Sequence, residues 1–375
     1  MALASGSPYY MPPVSAKKMA MDLATLPAWY ADEGSKILVS DMSAIRWMQD
    51  VCRFPLKVTW VNEDDISGCV KFCPWGWSPA LLRRLTECGA VGDAILSTRQ
   101  MTFLRNLSSR KTAVELLSQL IVPSMVGESF WLTSIEEVLS FSAKYDKVLL
   151  KSPWSGSGKG IQPLRGLPDD NLKGWIRRII ATQGGVVGEP FYEKVLDFAM
   201  EFKASSENIS FVGYSLFETD SRGIYKGNRL LSDVNIEACL SCYVASDVLH
   251  VLQKRLIEKL TKFVHEGYLG YVGVDMMVVQ TASGYAVHPC VEVNWRMNMG
   301  VVSRLFYDKY VDPQSHGHYV IEYYPKKNDA MVFHEQMKRE LPLLVEEGKI
   351  KEGYLSLTPV MENTSYQVYV IIENA

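Results

Sequence analysis

At 375 residues the chain is long enough for two or three compact units sharing a continuous buried interior. With 47% hydrophobic residues, 22% charged residues and a formal net charge of −3, the composition argues against a basic nucleic-acid-binding surface or a polybasic tail. No window approaches the apolar length of a membrane span, and no basic start leads into an apolar run, so neither a spanning helix nor a signal peptide is expected.

Residues 1–20 are polar and proline-containing and read as an arm or a poorly ordered terminus. KILVSD (36–41) and KVTWV (57–61) read as strands, and AIRWMQDVC and SPALLRRLTECGA carry helical periodicity. Strands alternating with helices predict a small α/β unit over 1–97. Within it FCPWGWSP (72–79) reads either as a substrate-facing loop or as aromatic packing under a turn. A second unit, 98–190, starts with a helix capped by Ser108 or Ser109, then a second amphipathic helix, SIEEVLSFSAKY. The strand KVLLK (147–151), a glycine-rich loop, the helix DDNLKGWIRRIIATQ and the strand VVGEPF (186–191) complete it. The third unit, 191–375, holds an antiparallel meander (197–205, 209–220, GIYKGN) and a long helix around 243–266. Two strands follow, YVGVDMMVVQ and YAVHPCVEVN, joined by TASG, then a charged helix (about 328–347) and a final strand pair.

The seven cysteines are few and odd in number, which suits a reducing cytoplasm better than a disulfide framework. Cys239 and Cys242 form a lone CLSC pair, and Cys69 and Cys73 are poorly spaced to complete a zinc site, so the pair reads as two half-buried helical cysteines.

The loop KSPWSGSGKG (151–160) asks for a phosphate. A P-loop needs G-x-x-x-x-G-K-[ST] between strand and helix. Here Pro153 stands in place of the first glycine, Gly160 follows Lys159, and IQPLRG beyond is strand-like. The loop is therefore expected to be a hairpin between strands, whose backbone N–H groups can lie over phosphates as a lid. Lys151, at the end of an apolar strand, needs an anion if it faces inward. Downstream, Glu292 and Asn294 are two apart and fall on one strand face, and a hairpin through TASG could set Asp275 across from Glu292. Two carboxylates and an amide oxygen form a hard-oxygen set suited to magnesium that also carries phosphate oxygens. Arg296 would project on the same side if the strand continued, offering a fork to a phosphate or carboxylate. His288 shares that face and reads as a proton acceptor or a structural residue. Arg304 and Tyr307 read as substrate contacts or as helix surface.

In this order of features (lysine, strand lysine with glycine-rich loop, hinge glutamate, meander, D…E-x-N-x-R) the chain resembles the ATP-grasp superfamily. That superfamily includes D-alanine–D-alanine ligases, biotin carboxylase and the purine-biosynthetic carboxylases. The resemblance covers about residues 100–305. It implies an α/β (α+β) fold: a pre-ATP-grasp domain at 1–97, a central lid subdomain at 98–190 and a catalytic subdomain at 191–375, with the nucleotide between the last two. It implies Lys111 near the α-phosphate, with Arg110 competing for that role, and Lys151 bridging α- and β-phosphates. Ser155, Gly156, Ser157, Gly158 and Gly160 would form the lid. Glu189, Pro190 and Phe191 would meet the adenine, and Asp197 the ribose, where most relatives carry Glu. Lys226 would lie near the γ-phosphate, Asp275, Glu292 and Asn294 would hold magnesium, and Arg296 would steady an acyl phosphate. The spacing of 17 positions from Asp275 to Glu292 (292 − 275) suggests an extended hairpin loop.

The activity so implied is ATP-dependent ligation: a carboxylate becomes an acyl phosphate and is joined to an amine, with ATP and Mg2+ (or Mn2+) as cofactors. The alternatives are a kinase-like phosphotransferase and a non-catalytic ATP-binding regulatory protein. Expected partners are small-molecule carboxylates and amines, with no nucleic acid and no membrane; a homodimer and a cytoplasmic location fit the same reading.

Overall fold

The computed structural model describes residues 2–51, 54–69, 71–155, 160–220, 223 and 225–374. Its strands, in chain order, are β1 (Lys36–Leu38), β2 (Thr59–Val61), β3 (Phe130–Leu132), β4 (Lys147–Lys151), β5 (Ile161–Arg165), β6 (Val186–Pro190), β7 (Glu193–Ala204) and β8 (Ile209–Thr219). They continue with β9 (Tyr225–Leu230), β10 (Gly270–Thr281), β11 (Gly284–Asn294), β12 (His316–Tyr323), β13 (Leu344–Glu346), β14 (Lys349–Ser356) and β15 (Tyr366–Glu373). Among the described residues they form three sheets: β1-β2, a four-stranded sheet β3-β6-β4-β5, and a nine-stranded sheet β11-β10-β7-β8-β9-β12-β15-β14-β13. No helix is long and apolar enough to cross a membrane among the described residues.

The four-stranded sheet is antiparallel throughout. Its core gathers Val148, Leu150, Leu164 and Val186 with Ile176 and Ile179 of the helix Asp170–Gln183. Alternation along β4 and β6 therefore turns Lys151 and Glu189 to the face away from that core. Ser152 N–H bonds Gly160 O at 2.8 Å, so β4 and β5 are the two arms of a hairpin closed at the root of the glycine-rich loop.

In the nine-stranded sheet Phe198, Met200 and Phe202 of β7 and Val272, Val274, Met276 and Val278 of β10 face one core. The helix Ser246–His265 fills it with Leu249, Leu252, Leu256 and Leu260, spaced three and four apart so that they share one face. Burying these even-numbered positions leaves Asp197, Ala199, Glu201, Gly273 and Asp275 on the opposite face.

Several expectations shift. The 1–20 segment holds helices Ala2–Ser5 and Val14–Asp22, and Asp22 accepts N–H groups of Ser365 and Tyr366 at 3.0 Å. Trp29 is buried with Val368 and Val370, its Nε1 donating to Leu357 O at 2.7 Å. The N-terminal stretch thus shares a core with the C-terminal strands, and its own sheet is the two-stranded parallel pair β1-β2. The charged helix near the end stops at Glu340, and Leu344–Glu346 is a strand, as Pro342 cannot continue a helix. Strands β3 and β12 were not expected as elements.

Candidate functional site

The first half of the site lies on the small sheet. Lys151 and Glu189 are both buried, and Lys151 Nζ meets Glu189 Oε2 at 2.5 Å. Glu189 Oε1 also accepts from Ser129 Oγ at 3.2 Å. β6 ends at Pro190, and Phe191 and Tyr192 carry the chain to β7 in the large sheet. Phe191 is tied to β4: its N–H bonds Lys147 O at 2.9 Å, and Lys147 Nζ sits 3.2 Å from its ring centroid.

The second half lies on the polar face of the large sheet. Asp275 pairs in register with Glu292, and Gly273 with Asn294. The extended loop suggested by the spacing is absent: Thr281 pairs with Gly284, so the turn is tight. The extra residues form a bulge instead, where two steps on β10 (Asp275 to Met277) face four on β11 (Glu292 to His288). Without it Asp275 would oppose Cys290. Asn294 Nδ2 donates to Asp275 Oδ2 at 3.0 Å, and Arg296 Nη2 donates to Asn294 Oδ1 at 2.9 Å. β11 stops at Asn294, so Arg296 reaches its place by curling back and not by continuing the strand.

Arg110 joins the two halves. It opens the helix Arg110–Leu120, capped by Ser109, and its buried guanidinium donates to Ser152 O at 2.8 Å, Ser155 Oγ at 2.5 Å and Glu292 Oε2 at 2.9 Å. Lys111, one position on, is turned away by about 100° of helix; it is half exposed and lies 4.0 Å from Glu115. Of the two competing cations, geometry brings Arg110 into the cluster and leaves Lys111 outside. Ser155 and Gly160 bound the glycine-rich loop, whereas Gly156, Ser157 and Gly158 lie outside the described residues.

Asp197 lies on the same face, opposite Met277, and is held by Lys194 and by Thr219 Oγ1. Lys226 is exposed at a register irregularity between β8 and β9, without an ion pair to the carboxylates among the described residues. His288 is fully buried, its ring edge-on to Tyr192, with neither ring nitrogen hydrogen-bonded among the described residues. Burial pushes its pKa down to about 4, so it is neutral. Arg304 and Tyr307 are not helix surface: Arg304 is buried on Asp233, Asp308 and Leu231 O, and Tyr307, also buried, donates its OH to Ser315 O. Cys239 packs against the main core and Cys242 is exposed, with no group of three His, Cys, Asp or Glu placed for a metal among the described residues.

One residue of this face was missed from the sequence. Glu201 in β7 is 1% exposed, accepts from Asn298 Nδ2 at 2.9 Å, and makes no ion pair with a described residue. Burial first, then Asp275, raises its pKa to about 8 against the Asn298 hydrogen bond and Arg296. The signal was there: in DFAMEFKA the acid alternates with Phe198, Met200 and Phe202, which places it on the face of Asp197.

The charge pattern fits a bound cation. Burial and the facing Glu292 lift Asp275 to about 7 against Arg296 and the Asn294 hydrogen bond. Burial also acts on Glu292, but Arg110, Lys151 and Arg296 outweigh it and hold that carboxyl low. Adjacent carboxylates that repel one another are relieved by a metal ion. Two carboxylates and one amide leave a magnesium ion's remaining positions to phosphate oxygens or water.

A scan against models of known protein families finds no match, and neither does a search of curated proteins. Solved structures do resemble the fold. Biotin carboxylase from Campylobacter jejuni, described as a beta-gamma-ATP complex, has a TM-score of 0.53 at 11% identity, over 95% of this chain and 86% of its own. Rhizobium etli pyruvate carboxylase with the allosteric activator acetyl coenzyme A has a TM-score of 0.52 at 14% identity, over 92% of this chain and 36% of its own. The biotin carboxylase domain of Hydrogenobacter thermophilus 2-oxoglutarate carboxylase, with MgADP, ADP and bicarbonate, has a TM-score of 0.44 at 12% identity, over 74% and 63%. The chain spans less than two thirds of the length of these last two proteins. Identities this low speak to fold and not to chemistry. The chain has the ATP-grasp fold.

Proposed function

We propose that the protein is an ATP-dependent carboxylate–amine ligase that works with magnesium. The observation that carries this reading is the convergence of Lys151, Arg110, Asp275, Glu292, Asn294 and Arg296 on two facing polar surfaces linked by the Phe191–Tyr192 connection. The Campylobacter jejuni biotin carboxylase that shares the fold is described as a beta-gamma-ATP complex, which supports a nucleotide at this place. We assign 1–97, 98–190 and 191–375 to the pre-ATP-grasp, lid and catalytic units.

In this reading Lys151 and Arg110 neutralise phosphate oxygens, and Glu189 through Phe191 with Asp197 frame the nucleoside. Asp275, Glu292 and Asn294 would hold magnesium, which supplies charge neutralisation on the transferring phosphoryl group. Arg296 presents its fork to the acyl phosphate formed when the substrate carboxylate attacks the γ-phosphorus and ADP departs. An amine then displaces phosphate. No protein nucleophile is needed, because positioning and fixed charge supply the catalysis.

The test is incubation with MgATP and pooled amino acids, followed by mass spectrometry. ADP together with a condensed mass is the expected result. ADP and a phosphorylated substrate without condensation would favour the phosphotransferase, and MgATP binding without ADP formation the regulatory protein. A Glu292→Ala protein with unchanged magnesium-dependent turnover would remove the metal assignment.

A further inference from the structure

The polar face of the large sheet carries a buried carboxyl that the proposed reaction does not use. Glu201 lies in the row Asn294–Gly273–Glu201, with Gly273 between it and Asn294. The chain leaving Asn294 turns through Trp295, Arg296 and Met297 and comes back over this row at Asn298. There the Asn298 side chain does two things at once: Oδ1 accepts Val301 N–H at 2.9 Å, capping the helix Met299–Tyr310, and Nδ2 donates to Glu201 Oε2 at 2.9 Å.

The surroundings are shaped to permit that bond. A Cβ on Gly273 would stand 2.3 Å from Asn298 Nδ2 and 2.5 Å from Glu201 Oε2. A Cβ on Gly300 would stand 2.2 Å from Glu201 Oε1 and 2.6 Å from Ser215 Oγ. Real Cβ contacts are never so close, so the carboxyl occupies a slot bounded by two glycines. Ser215 extends the network, accepting from Asn228 Nδ2 at 2.5 Å. The raised pKa agrees with a carboxyl that is neutral at pH 7 and serves as a hydrogen-bond partner, not as a charge.

We propose that Glu201 is a positioning residue for the metal-binding end of the site: by holding Asn298, it keeps the turn that bears Asn294 and Arg296 folded against β10. The turn has few other anchors on the polar face. Among the described residues Arg296 hydrogen-bonds only within it, to Asn294 Oδ1 at 2.9 Å and Met297 O at 3.0 Å, and Asn294 reaches β10 through Asp275. With the latch open, Asn294 would lose its fixed place opposite Gly273 and beside Asp275. This inference rests on the reading of Asp275, Glu292 and Asn294 as metal ligands.

The test is calorimetric titration with ADP, in EDTA and in excess Mg2+, on wild type, E201A, E201Q and N298A. In E201A and N298A the gain in ADP affinity brought by Mg2+ should fall about tenfold, the lower end for residues that orient metal ligands, with affinity in EDTA moving less than threefold. E201Q keeps an acceptor for Asn298 and should stay within about threefold of wild type under both conditions. Equal losses with and without Mg2+ would reduce Glu201 to a general structural residue and overturn the proposal, as would E201A and N298A behaving like wild type. If E201A fails to fold, N298A opens the latch from the other side and decides the matter. Wild type binding no ADP in either condition would instead refute the nucleotide reading on which the inference stands, and is told apart by that control.

Discussion

The buried pair Lys151–Glu189 separates structural from functional roles. Both side chains are about 5% exposed, and their charged atoms meet at 2.5 Å. Lys151→Met leaves Glu189 as an uncompensated buried charge, and Glu189→Leu does the same to Lys151; each should cost about 3–5 kcal/mol. The double variant buries no unpaired charge, so its cost should be no more than ~1 kcal/mol, most of it from Ser129 Oγ losing its acceptor. MgADP binding should not follow stability. Removing one charged hydrogen bond to phosphate costs about 1.5–3 kcal/mol, or roughly 10- to 150-fold in affinity, in Lys151→Met and in the double variant alike. Glu189→Leu keeps the Lys151 charge and loses only the contact of Glu189 with the nucleoside, so its MgADP affinity should fall less than that of Lys151→Met. The assays are thermal melting and MgADP calorimetry on the four proteins. A double variant that binds MgADP within threefold of wild type would show that Lys151 is not a phosphate ligand. Additive losses of stability would show that the pair is not coupled.

Arg110→Ala should weaken MgADP binding at least about tenfold, and Lys111→Ala less than threefold, because only Arg110 faces the cluster. Gly300→Ala should lower stability by about 1–3 kcal/mol through overlap with Glu201 and Ser215. Gly68→Ala, with nothing within 4 Å, should stay within ~0.5 kcal/mol in the same melting assay. For pH, the folded pKa of Glu201 lies above its ordinary 4.5, so the folded state binds more protons between 4.5 and about 8. Its stabilisation is complete below pH 4.5 and lost as pH rises through 8, by at most about 5 kcal/mol, and E201Q should flatten that alkaline fall. His288 and His334, both pushed down to about 4 by burial, act in the opposite sense. Their contribution is complete above pH 6.5 and lost as pH falls through 4, so His334→Asn should shrink the acid limb of the stability curve.

Alternation made much of the site legible in sequence. Acids and an amide set among valines and methionines at period two must share a face opposite the core, and the register indeed sets Asp275 across from Glu292. The failed P-loop pattern likewise pointed to a hairpin, as Pro153 and the strand IQPLR leave no helix for the loop to open. Arg110 and Lys111 could not be ranked this way. One residue is a large rotation on a helix, and which neighbour points inward depends on how that helix docks on β11.

The strand faces, the hairpin nature of the glycine-rich loop and the oxygen-rich set on β10 and β11 follow from local periodicity and side-chain chemistry, and a reader of the sequence can find them. The remaining features emerge when the elements pack. The bulge that aligns Asp275 with Glu292 is a shift of register within one hairpin, and the choice of Arg110, the packing of the helix Val14–Asp22 on β15 and the Glu201–Asn298 latch join residues far apart in the chain. Such contacts are set by which surfaces pack together, and no short-range pattern records them.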